Sequence, residues 1–153
     1  MRASAPTLLV IEDSQDQAIL VGAAARRAHP GLEVRTAKDG LEGIAYLAGI
    51  PPFDDRRQHP LPRLVLLDLF MPEVDGFEVL SWIADQPKPL GVPVVVLTAS
   101  ANVQDVTRAL GLGATAVLQK PTDLYELGDV VRTVVERWIG KSEMIGAHIW
   151  AAG

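Results

Sequence analysis

The chain has 153 residues, a mass of 16.4 kDa and a net charge of −5, which suits one domain with its own apolar core. It contains no cysteine, so disulfide frameworks, thiolate zinc sites, iron–sulfur clusters and cysteine nucleophiles are excluded, and a reducing compartment is the expected home. No basic run is present to follow a phosphate backbone, no apolar stretch reaches the roughly 18–20 residues of a membrane span, and the first residues lack the apolar core of a signal peptide. A cytoplasmic protein with no direct nucleic-acid or membrane partner is expected.

In chain order, short branched apolar runs alternate with segments of helical period. The predicted strands are Thr7–Ile11, Leu32–Ala37, Arg63–Leu67, Val92–Leu97 and Thr115–Leu118; the predicted helices are Ser14–Ala28, Leu41–Ala48, Gly76–Asp85, Val103–Leu110 and Asp123–Trp138. That alternation marks an α/β domain with a doubly wound, flavodoxin-like five-stranded parallel sheet, a (βα)5 unit. Several strands are apolar at almost every position, as strands covered on both faces must be. Ser14 and Thr122 read as helix N-caps, and Gly111 and Gly113 as a helix stop before the fifth strand.

Two segments interrupt the rhythm. Residues 50–62 (IPPFDDRRQHPLP) exceed the usual two-to-six-residue connection and read as a solvated surface excursion rather than a recognition loop. The domain is placed at residues 1–139. Residues 140–153 (GKSEMIGAHIWAAG) form a short extension whose Met144, Ile145, Ile149 and Trp150 need cover, from this chain or from a second copy.

Function in an open α/β sheet collects beyond the carboxyl ends of the strands. Glu12 and Asp13 follow the first strand, Asp68 the third, Thr98 the fourth, and Lys120 with Pro121 the fifth. Three carboxylates brought together repel one another unless a cation joins them. Magnesium answers that need with oxygen ligands and an open position. Lys120 and Thr98 would then stabilise phosphoryl oxygens, with Asp68 as the attacking carboxylate. Read singly, Glu12 and Asp13 serve equally well as acids at a helix start, Thr98 as a loop hydroxyl and Lys120 as a solvated turn residue. Pro72 and Gly76 bracket a sharp bend after Asp68. His29, His59 and His148 share no ligand spacing and read as surface residues.

The segments LLVIEDS, LVLLDLFMPEVDGFEVL, PVVVLTAS and LGATAVLQKP, in that order, resemble the receiver domain of two-component response regulators. The resemblance implies a phosphoacceptor, not an enzyme acting on external substrates. Asp68 would take a phosphoryl group from a sensor histidine kinase. Glu12, Asp13, Asp68 and the Phe70 carbonyl would hold Mg2+; Thr98 and Lys120 would bind the phosphoryl group, with a cis peptide at Lys120–Pro121. Family members often carry an aromatic residue where this chain has Val117, so the usual ring swing is absent. Phe70 flanks the phosphoryl site and would limit attacking water, while Ser100 leaves the site open.

The loop before the third strand, and a last helix ending at Trp138 with an apolar tail, look like the stand-alone regulators paired with phytochrome kinases. That implies a red-light sensor kinase and a homodimer anchored by Trp138 and Trp150. The rival readings are a phosphorylation-independent interaction module, an aspartate-nucleophile phosphohydrolase, and a nucleotide- or flavin-binding domain. Phe70 stands where such a hydrolase keeps a second acid, and the glycines a nucleotide-binding loop needs after the first strand are absent.

Overall fold

The apolar strand runs sort their residues onto two faces, and both faces are covered. In the computed structural model, which describes residues 5–140, the elements in order are β1 (Thr7–Ile11), α1 (Gln15–Ala28), β2 (Glu33–Ala37), α2 (Gly40–Ala48), β3 (Leu64–Leu67), α3 (Gly76–Ala84), β4 (Val94–Thr98), α4 (Val103–Gly111), β5 (Ala116–Gln119) and α5 (Leu124–Trp138). Leu9, Ile11, Val65, Leu67, Val94 and Val96 pack with residues of α2, α3 and α4. Their neighbours Leu8, Val10, Leu64, Leu66, Val95 and Leu97 pack with α1 and α5. Alternate side chains of a strand point to opposite faces, so burial on both sides demands an unbroken apolar run. The outer strands β2 and β5 carry polar residues and are only partly buried.

All pairings are parallel and the strand order is β2-β1-β3-β4-β5. The chain moves from β1 out to β2 and then crosses to the other side of β1 for β3. The direction of winding therefore reverses between β1 and β3, at the crevice where open α/β sheets bind ligands. No described helix is long and apolar enough to cross a membrane.

The predicted element boundaries hold to within one or two residues. β4 starts at Val94 because Pro93 has no N–H for the ladder. The cap of α5 is Asp123 rather than Thr122: its carboxylate accepts from the backbone N–H groups of Tyr125 and Glu126 at 2.8 and 3.1 Å, and its charge suits a helix N-terminus better than a hydroxyl does. Ser14 caps α1 as expected. Helix α4 runs through Gly111, and Gly113, at φ 106°, makes the turn into β5.

Residues 50–62 run over the surface as expected, with Ile50, Pro51, Pro52, Asp54, Arg57, Gln58 and Leu61 exposed, but the segment is tied to α2. The Arg56 guanidinium donates to the carbonyls of Tyr46, Leu47 and His59 at 2.9, 2.8 and 3.2 Å. The Tyr46 hydroxyl donates to the Pro60 carbonyl at 2.8 Å. Phe53 and His59 lie edge-on to one another and both contact the Tyr46 ring. His59 is only partly exposed, its Nδ1 buried among these rings. The Pro51–Pro52 peptide in this segment is cis.

Candidate functional site

In-step parallel pairing carries the residues that follow the strands to one edge. Ile11 pairs with Leu67, so Glu12 and Asp68 leave the sheet side by side, and the Asp68 N–H donates to the Ile11 carbonyl at 3.1 Å. Thr98 pairs with Gln119, and the Lys120 N–H donates to the Thr98 carbonyl at 2.6 Å. One oxygen from each of Glu12, Asp13 and Asp68 lies within 4.8 Å of the others. Asp13 is exposed, whereas Glu12, Asp68, Thr98 and Lys120 are buried, between 0% and 9% exposed.

Buried polar groups need partners, and the partners here are mutual. Lys120 Nζ donates to Glu12 Oε1 at 2.8 Å and to Gln17 Oε1 at 2.6 Å. Glu12 Oε2 accepts from the Ser14 N–H at 3.1 Å. Thr98 Oγ1 accepts from the Ser100 N–H at 3.4 Å, a bond that does not use its hydroxyl proton. One ammonium faces three carboxylates. Burial, and then the charges of Glu12 and Asp13, push the Asp68 carboxyl up from 3.8 to about 6, against the opposing pull of Lys120 and the Phe70 amide. An all-oxygen donor set with surplus negative charge fits a hard divalent cation.

Asp68 is held by the bend that follows it. The Gly76 N–H donates to the Leu69 carbonyl at 2.8 Å, and a Cβ at residue 76 would lie 2.5 Å from the Asp68 carbonyl oxygen and 2.7 Å from Leu69 Cα. Only glycine lets α3 start so close to the turn. Gly76→Ala is expected to cost about 1–3 kcal/mol, the range for overpacking a tight contact, and to displace Asp68; urea unfolding measures the first effect and divalent-cation affinity the second.

The sequence expectations meet the structure in different ways. Glu12, Asp13, Asp68, Thr98 and Lys120 are brought together. The Lys120–Pro121 peptide is not cis; the two isomers of an X–Pro bond differ by only about 0.5–1 kcal/mol, so the dipeptide does not choose between them. Phe70 is 49% exposed beside the site, its ring edge-on to Phe77, over which Arg108 of α4 sits at 4.0 Å. Ser100 is exposed, and Val117 is half-buried among the side chains of the α2–α4 face. Trp138 lies half-buried against the core between α1 and α5, with the Arg137 guanidinium 5.0 Å from its ring. Trp150 and His148 lie outside the described residues. The His29 Nδ1 is 2.9 Å from the Gly140 carbonyl.

Gln17 was not expected at the site. Its signal was visible, since it lies on the first turn of the helix that follows the acidic pair, but a glutamine three residues after an N-cap serine reads as part of the cap. A concavity of about 370 Å³ between α3 and the start of β4 is lined by Ile83, Leu90, Val92 and their neighbours. It lies at the opposite edge of the sheet and holds no ionisable group.

A family model for the response regulator receiver domain matches residues 8–132. The chain belongs to that family. The receiver is 35% identical over 133 residues to a probable methanogenesis regulatory protein, FilR2, of Methanothrix harundinacea (strain 6Ac), covering 87% of this chain and 83% of the relative. Its fold is similar to that of the phosphorylated cyanobacterial phytochrome response regulator RcpA, with a TM-score of 0.81 and 31% identity, covering 88% of this chain and 94% of RcpA. It is similar also to the Mn2+-bound form of the response regulator Rcp1, with a TM-score of 0.79 and 32% identity, covering 92% and 96% of the two chains. The receiver thus stands near regulators associated with phytochromes, and the expected doubly wound fold is the fold of the family.

Proposed function

We propose that this receiver is a cytoplasmic phosphorylation switch in which Asp68 accepts a phosphoryl group from the phosphohistidine of a sensor kinase. The observation that carries this reading is the convergence of Glu12, Asp13, Asp68, Thr98 and Lys120 at the winding reversal of the sheet. An Asp68 oxygen attacks phosphorus, the P–O bond forms as the P–N bond breaks, and the imidazole leaves with a proton. Glu12, Asp13 and Asp68 would hold Mg2+, with the Phe70 carbonyl as a further ligand. The bound ion supplies positive charge to the phosphoryl oxygens and offsets the repulsion among the carboxylates. The Thr98 hydroxyl donates to one phosphoryl oxygen and the Lys120 ammonium to another. The Mn2+-bound state of Rcp1 supports a divalent ion, and the phosphorylated state of RcpA supports the transfer.

The added charge, about −1.5 to −2 near neutral pH, draws Thr98 and the β4–α4 loop toward the site. Val117 has no ring to swing, so the change passes to α4 through Thr98 and through Phe70, whose ring packs on Phe77 beneath Arg108. The outward face of α4 and α5 leaves Val103, Leu110, Leu124 and Tyr125 exposed. Those side chains support a homodimer on the α4–β5–α5 face, to which residues 140–153, Trp150 included, would add cover alongside Trp138. Similarity to RcpA supports a phytochrome-type kinase as partner.

The test is intact-mass spectrometry after exposure to acetyl phosphate. A phosphoryl adduct that forms with Mg2+ and not with a chelator is the expected result. A folded chain that gains no mass would favour a phosphorylation-independent interaction module.

A further inference from the structure

At the start of α1 the chain has the residues of a capping box but does not close it. In such a box the N-cap side chain accepts from the third helical N–H, and the third residue's side chain returns to the N-cap N–H. Helix α3 makes both bonds, between Asp75 and Glu78, at 2.9 and 3.2 Å. In α1 the first bond is present, the Gln17 N–H donating to Ser14 Oγ at 3.3 Å. The second is made by another residue: the Ser14 N–H donates to Glu12 Oε2. The Gln17 side chain is thereby released, and its Oε1 accepts from Lys120 Nζ at 2.6 Å, across 103 positions of sequence.

We propose that Gln17 is a positioning residue for phosphoryl transfer, whose uncharged amide oxygen holds the Lys120 ammonium at the site without cancelling its charge. The inference rests on the reading of Asp68 as phosphoacceptor. An ammonium has three donors on a flexible stem. Glu12 and Gln17 occupy two of them and fix the direction of the third. Among the described residues no other acceptor is bonded to Nζ. The third donor is the one a phosphoryl oxygen on Asp68 would take. A carboxylate at residue 17 would hold the ammonium as well but would place a further negative charge where an anionic donor must approach.

The test uses the full chain with Gln17→Leu and Gln17→Glu. It follows the initial rate of adduct formation from acetyl phosphate at saturating Mg2+, Mn2+ affinity by electron paramagnetic resonance, and the melting midpoint. Gln17→Leu is expected to slow adduct formation about tenfold, the scale of one lost hydrogen bond to a charged group, with Mn2+ affinity within about twofold of native. Gln17→Glu keeps an acceptor for the ammonium and is expected to stay folded, yet to form adduct more slowly and bind Mn2+ more tightly, since it adds a carboxylate beside the cluster. A folded Gln17→Leu at the native rate, or a Gln17→Glu as fast as native, would reduce Gln17 to a helix-end residue and overturn the inference. A native chain that forms no adduct overturns the phosphoacceptor reading itself, and shows this before either variant is compared.

Discussion

Asp68→Asn is expected to abolish the phosphoryl adduct while making the fold more stable at pH 7. The Asp68 carboxyl is raised from 3.8 to about 6 in the folded chain, with burial the foremost cause. Between those values the folded state binds the proton more readily than the unfolded state does, so stability falls as pH climbs from about 4 to about 6. The penalty is fully present above pH 6 and absent below pH 4. Asparagine carries no charge to penalise. It should add on the order of 1 kcal/mol at pH 7, less than the full shift implies because water reaches the mouth of the site, and almost nothing at pH 4. Urea unfolding at the two pH values measures the difference. Added Mg2+ should stabilise the native chain more than the variant and narrow the gap. A variant less stable than native at pH 7 would mean that Asp68 holds the β3–α3 turn together, against the view that its charge is carried at a cost for chemistry.

Lys120→Met should act in the opposite direction and by a larger amount. The thioether preserves much of the stem but removes the only ammonium bonded, among the described residues, to Glu12, a carboxylate 6% exposed. Leaving a buried charge unpaired typically costs about 3–5 kcal/mol, and here two further carboxylates stand within reach of the one stranded. Divalent cation then becomes the main source of neutralising charge. The variant should therefore recover much of its loss in millimolar Mg2+, and its midpoint in urea should depend on Mg2+ far more steeply than that of the native chain. Adduct formation should remain slow even where stability returns, because the ion cannot replace a donor aimed at the phosphoryl oxygen. Unchanged stability without metal would show that water solvates Glu12 after all.

Where side-chain type and strand period act together, the sequence was readable. Leu64–Leu67 could only be a doubly covered strand, and the polar residue after it could only sit on the rim. The same reasoning placed Glu12, Asp13, Thr98 and Lys120, since parallel pairing makes the ends of neighbouring strands into neighbours in space. What could not be read depended on choices between nearly equal local states. Thr122 and Asp123 are both good caps, and the isomer of the Lys120–Pro121 bond is nearly balanced. The partner of Gln17 is set by whether Glu12 reaches Ser14 first, a matter of geometry between β1 and α1. In the segment from Ile50 to Pro62 composition pointed to the surface course but not to Arg56, which turns inward onto the end of α2.

That inward turn changes how the second helix ends. Helix α2 has no basic residue in its last turn, so nothing within it answers the partial negative charge of its outward-facing carbonyls. Arg56 supplies the missing cation from beyond the helix, over the carbonyls of Tyr46 and Leu47. Gly49 makes the approach possible twice over, through its left-handed backbone at φ 71° and because a Cβ there would lie 2.9 Å from the guanidinium. The longest connection in the described chain is therefore part of the helix's own termination. The contact ties helix end and connection together, so the two are expected to open as one unit.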